Sequence, residues 1–166
     1  ITKREFHSNT PFALSAAAFS IGSIISALLC IKIKIKHQGQ VSILVWMIVI
    51  VAPLALAFPV SGWVIIVAYF IAGFSVGPWE AWWSSAVQRE VPPHLQGRVF
   101  SIDHMGSTAL MPLGMALVGP AANYFGERNL LIGASIFHIL MGLSVMRIPG
   151  VRDMKMPPKS SDEAAV

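Results

Sequence analysis

Charge is what this sequence has least of. Only 12% of its 166 residues are Asp, Glu, Lys or Arg, against 55% in the hydrophobic set. A soluble domain carries about 25% charged residues, so this chain cannot cover a globular surface with polar groups. The same apolar content excludes disorder. The single cysteine, Cys30, excludes an internal disulfide framework and a cysteine-rich metal site. The five histidines show no His-Glu-x-x-His spacing, and no P-loop or Gly-x-Gly-x-x-Gly occurs. No metal site, no cofactor and no Gly-x-Ser-x-Gly nucleophile elbow are expected, and the chain does not read as an enzyme. The net charge of +4 is small and scattered between apolar runs, which excludes a nucleic-acid binder. What fits is an all-α membrane protein of several spans.

The few charges mark the organisation. None falls between Glu5 and Lys32, and none between Val41 and Trp79. A spanning helix needs about 20 apolar residues, so the second stretch holds two spans, divided at Phe58-Pro59-Val60-Ser61-Gly62. Five spans are predicted, at about Pro11–Ile31, Val41–Phe58, Gly62–Val87, Val99–Phe125 and Leu130–Met146. Residues 1–10 form a polar loop, with no charged start, short apolar run and cleavage site of a signal peptide. Residues 149–166, rich in proline and charge, are expected to be a disordered tail. The connector from Lys32 to Gln40 alternates Lys with Ile in a strand-like way. Lysines at a helix end, with ammonium groups at the membrane interface, are the better reading, because a strand edge in lipid leaves backbone groups unpaired.

Orientation follows from the basic residues. Nine of the twelve lie on one side: Lys32, Lys34, Lys36, Arg89, Arg98, Arg147, Arg152, Lys155 and Lys159. Lys3, Arg4 and Arg128 lie on the other. Basic loops stay in the cytoplasm, so residues 1–10 are expected outside and the C-terminus in the cytoplasm. An odd number of spans with an uncleaved external start is expected of a segment of a longer protein.

Glu80 is the most informative residue. It lies inside the third span, where a carboxylate is costly and marks a functional site by default; the plain alternative is a structural Glu bonded to a neighbouring helix. Pro78 precedes it and cannot donate to the Phe74 carbonyl, so a kink is expected there, and another at Gly119-Pro120. Interrupted helices of this kind stand beside transporter binding sites. Trp79, Trp82 and Trp83 cannot all share one helix face, so some must point inward. Asp103 enters the fourth span and either favours the helix start through the dipole, pairs with Arg98 or another base, or takes part in coupling. Arg89 and Arg98 are helix-end or gating charges. Met111 and Met115 share a face and are either ordinary packing or an adaptable wall for apolar ligands. His138 is alone in the fifth span and reads as a packing residue. Ala18, Gly22 and Ser26, like Gly73 and Gly77, repeat at four and let helix backbones approach.

Several strings together carry a resemblance. Trp79-Glu80, Ala86-Val-Gln88-Arg-Glu-Val-Pro92-Pro93, Gly97-Arg98-Val99-Phe100-Ser101-Ile-Asp103, Leu113-Gly114 and Gly119-Pro120-Ala-Ala-Asn123 resemble the C-terminal half of a major facilitator superfamily transporter. Within that superfamily the strings most resemble the enterobactin-exporter-like and macrolide-efflux-like bacterial transporters. The resemblance covers about Phe12 to Arg152 and implies helices eight to twelve, most of the C-terminal six-helix bundle. The sequence departs from the family at Lys32–Gln40, which lacks the aspartate of its Gly-x-x-x-Asp-Arg-x-Gly-Arg-like motif. The resemblance also implies that the first, third and fourth spans face a substrate cavity between two halves, while the second and fifth face lipid. The expected function is a proton-coupled exporter of amphipathic small molecules in the inner membrane, working with the N-terminal half of the transporter and the lipid bilayer. The alternative is a scaffold subunit on the same fold that does not transport.

Overall fold

The structure, a computed structural model, describes residues 10–32 and 38–148. The expectations for the first nine residues, for the basic centre of the first connector and for the tail from 149 lie outside the described residues. Among the described residues seven α-helices follow in order: α1 (Thr10–Lys32), α2 (Gln38–Met47), α3 (Val51–Ala57), α4 (Gly62–Glu90), α5 (Pro93–Ala109), α6 (Met111–Phe125) and α7 (Glu127–Val145). A 3₁₀ turn over Ile48–Ile50 joins α2 to α3. No strand occurs among the described residues.

These segments make five helices long and apolar enough to cross a membrane: Thr10–Cys30, Gly39–Ala57, Gly62–Glu90, Pro93–Phe125 and Glu127–Val145. The chain is an all-α membrane protein. Helices are the form that satisfies backbone groups internally where water is absent. Residues 88–98, which lie between the predicted third and fourth spans, are helical except at Val91 and Pro92. Arg89 and Glu90 close α4, and Pro93 to Arg98 open α5. Pro93 suits the start of a helix, where its missing N–H has no partner to lose. Only Val91 and Pro92 remain as a hinge, and Gln96 Nε2 donates to the Gln88 and Val91 carbonyls, 3.0 and 2.9 Å away, satisfying the end of α4.

The core is the contact between α1 and α4, the most extensive in the fold. Small residues make it. A Cβ on Gly73 would overlap the Phe19 carbonyl, and one on Gly77 would meet the Ser23 carbonyl at 2.6 Å. From the other helix, a Cβ on Gly22 would run into the backbone at Phe70 and Phe74. The predicted small-residue faces of the first and third spans are thus pressed against each other. Ser15, Ser26 and Ser75 are buried here, yet each donates within its own helix, to the Phe12, Ser23 and Ala72 carbonyls. They act as small packing groups that carry their polarity internally. Along α4 the buried positions Ile65, Ala68, Ala72, Ser75, Trp82 and Ala86 follow the three-and-four spacing of a continuous seam. On its other flank α4 meets α2 and α3, which in turn pack on α7.

Prolines explain where the helices break. The second span, nearly featureless as a sequence, contains the 3₁₀ turn three residues before Pro53. Pro53 has no N–H for the Val49 carbonyl, and its ring crowds that group. The fourth span breaks at Leu110, between α5 and α6. Pro112 cannot donate to the Thr108 carbonyl, and the Thr108 hydroxyl donates back to the His104 carbonyl, a bond that bends helices. Pro78 and Pro120 lie inside α4 and α6, which continue through them.

Gly126 makes the turn between α6 and α7 with φ of 83°, a conformation that side chains disfavour. At the same end Arg128 lies over the Phe58 ring, 4.2 Å from its centroid, tying α7 to the end of α3. The fourth span is different from the rest: no residue of α5 or α6 is buried.

Candidate functional site

The third span supplies three indoles and a carboxylate in five residues, and the structure separates their directions. Trp82 is on the buried seam, 5% exposed. Trp79 turns toward the second span, where its ring centroid lies 5.4 Å from that of Trp46 with planes at 35°. Trp83 faces the fourth span, where its Nε1 donates to Asp103 Oδ2 at 3.2 Å. Glu80 is exposed and makes no ion pair or hydrogen bond with any described residue.

Depth gives this group its meaning. Glu80 precedes the end of α4 by ten residues, or about 15 Å at 1.5 Å per residue. Asp103 follows the start of α5 by ten residues, the same axial distance. The hydrocarbon slab is about 30 Å thick, so both carboxylates stand well inside it if the helix ends lie at its border. The Asp103–Trp83 bond gives one carboxylate a fixed donor, while the other is left free. The two carboxylates thus differ in their surroundings: Asp103 has an indole donor and Glu80 has none among the described residues.

The remaining predicted residues are not at this point. Arg89 Nε lies 3.0 Å from Glu90 Oε1 at the helix end, and Arg98 is exposed on α5. No ion pair joins Asp103 to Arg98 among the described residues. Met111 and Met115 begin α6, beyond the Leu110 break, and are 61% and 70% exposed. They form an apolar face further along the same span.

Sequence reasoning missed a letter pattern and a contact. Gly73-Phe74-Ser75-Val76-Gly77 matches Gly-x-Ser-x-Gly, contrary to the expectation of no such motif. A nucleophile elbow needs a sharp turn from strand to helix. Here the five residues sit inside α4, with Ser75 2% exposed and donating to the Ala72 carbonyl at 2.6 Å. The glycines serve the α1 contact. The missed contact is His138 with Trp46: His138 Nε2 is 3.2 Å from the Trp46 carbonyl oxygen, with ring centroids 5.7 Å apart. The signal is present as two polar-tipped rings in otherwise apolar spans, but their proximity is not encoded in either segment alone. No group of three metal-ligating side chains occurs among the described residues.

No protein-family profile matches the chain, and no solved structure matches it. Two curated proteins do. The chain is 30% identical over 145 residues to the multidrug efflux pump Tap of Mycolicibacterium fortuitum, covering 86% of this chain and 35% of that protein. It is 24% identical over 146 residues to the multidrug efflux pump Tap of Mycobacterium bovis (strain BCG / Pasteur 1173P2), covering 88% of this chain and 34% of that protein. The chain thus spans about a third of the length of these relatives, and over nearly all of its own length it is similar to multidrug efflux pumps.

Proposed function

We propose that this chain forms five helices of a drug exporter in a bacterial cell membrane, and that proton uptake by Glu80 drives export. The observation that carries the reading is the unpaired Glu80, deep in a span and one turn from the bonded Trp83–Asp103 pair. The similarity to two multidrug efflux pumps supports amphipathic small molecules as the substrates. The uncovered fourth span supports a further partner in the fold. We assign that place to the N-terminal half of a major facilitator superfamily transporter, with this chain as helices eight to twelve of the efflux branch. Substrate then lies between the halves near the midplane. The chemistry is transport and not an enzymatic conversion.

The test uses inverted membrane vesicles containing the full-length transporter, with ethidium as the amphipathic probe. Imposing an acidic lumen should drive ethidium uptake into the vesicles, and a protonophore should stop it. Uptake that needs ATP and ignores the pH gradient would sink the proposal. The proposed orientation puts the connector containing His94 in the cytoplasm and the turn containing Asn129 outside, as the basic residues require. A membrane-impermeant thiol reagent applied to intact cells should label a cysteine placed at Asn129 and spare one at His94; the reverse pattern would invert the topology.

A further inference from the structure

A 3₁₀ turn over Ile48–Ile50 interrupts the second span just after Trp46, and a side chain of another helix reaches the backbone there. His138 Nε2, on α7, stands 3.2 Å from the Trp46 carbonyl oxygen. A carbonyl only accepts, so the imidazole proton is on Nε2. The Trp46 ring lies between two others: its centroid is 5.7 Å from that of His138 and 5.4 Å from that of Trp79. Trp79 is the residue next to Glu80. No charged side chain occurs in the second span or in α6, and Glu127 and Arg128 are at the far end of α7, so no ion competes for the imidazole.

We propose that His138 is a positioning residue for Glu80. Its Nε2–H bonds the Trp46 carbonyl beside the 3₁₀ turn and fixes the Trp46 backbone. The Trp46 indole, held against the imidazole, sets the place of the Trp79 ring, and this fixes the rotation of α4 at Glu80. The chain of contact joins the fifth, second and third spans at one depth. It also accounts for a histidine in the middle of an apolar helix whose Ser135 and Ser144 bond only to their own helix, at the Leu131 and Leu140 carbonyls. The functional part of this inference rests on the reading of Glu80 as the coupling group.

The test compares His138→Phe, which keeps a ring and loses the donor, with His138→Gln, which keeps a neutral donor. Both are made in the full-length transporter, placed in lipid nanodiscs for the exchange measurement and in sealed proteoliposomes for transport. Hydrogen–deuterium exchange in the segment 46–53 should rise about tenfold in the Phe variant and stay near wild type in the Gln variant, since exchange reports local opening. Ethidium-driven proton movement should fall several-fold in kcat for the Phe variant, with KM unchanged, and recover in the Gln variant. Equal exchange in the two variants would overturn the clamp. Faster exchange with unaltered proton movement would overturn the positioning of Glu80. Failure of the Glu80 reading is separately visible, because Glu80→Gln would then leave coupling intact while the exchange difference between the His138 variants persisted.

Discussion

Leucine in place of Gly73 should separate α1 from α4 and leave little folded protein. The reason is that the obstacle is backbone. A Cβ at Gly73 overlaps the Phe19 carbonyl, and a main-chain group of a neighbouring helix cannot rotate away as a side chain does. The helices must move apart along the most extensive contact in the fold, and the packing at Gly22 and Gly77 opens with it. Overpacking a core costs about 1–3 kcal/mol when side chains absorb the strain; here the upper part of that range is the starting point. Gly142→Ala provides the contrast. Its Cβ meets the Met47 Cγ at 2.9 Å, the flexible thioether can change rotamer, and the expected cost is below about 1 kcal/mol. Thermal unfolding of the purified transporter in detergent distinguishes them. Gly73→Leu should lower Tm by about 5–10 °C or abolish recovery of monodisperse protein, and Gly142→Ala should shift it by only about 1–3 °C. Equal shifts would show that the α1–α4 contact is not the core.

The second large effect is expected at Glu80. Glu80→Gln keeps shape and hydrogen-bonding capacity but cannot exchange a proton, so transport driven by a pH gradient should fall at least about tenfold, a loss of about 1.4 kcal/mol. Ethidium binding should weaken as well, because the neutral amide resembles the protonated acid, the form that must lose its proton when the drug binds. Asp103→Asn has a different expected result. Its amide oxygen can still accept from Trp83 Nε1, 3.2 Å from Asp103 Oδ2 in the native chain, so the interhelical bond survives and the rate should stay within about threefold. Measuring initial rates of ethidium uptake under an imposed pH gradient separates the two carboxylates. If Asp103→Asn were the variant that stopped transport and Glu80→Gln were not, their roles would be exchanged.

Much of the architecture is legible in where charge is absent. The uncharged stretch from Val41 to Trp79 is too long for one span, and its division at Phe58–Gly62 yields the second and third. The small residues Gly22, Ser26, Gly73 and Gly77 announce close helix contact, and the fold presses them together. What the sequence does not disclose is which carbonyl a proline will release. Pro78 and Pro120 read as kinks, while Pro53 and Pro112 mark the places where the helices change or stop. A proline removes the same donor wherever it occurs, and its neighbours decide whether the helix continues through it. The pairing of Trp83 with Asp103 and of His138 with Trp46 is hidden for a related reason. Each bond joins residues far apart in the chain, and helical periodicity describes one helix at a time.

The central claim is that Glu80 carries the proton exchanged for drug. The most direct measurement is proton release when ethidium is added to the purified full-length transporter in weakly buffered detergent solution. Wild-type protein should release protons in proportion to occupied sites, and Glu80→Gln, at ethidium concentrations high enough to fill its site, should release none. Proton release of the same stoichiometry from Glu80→Gln would contradict the claim.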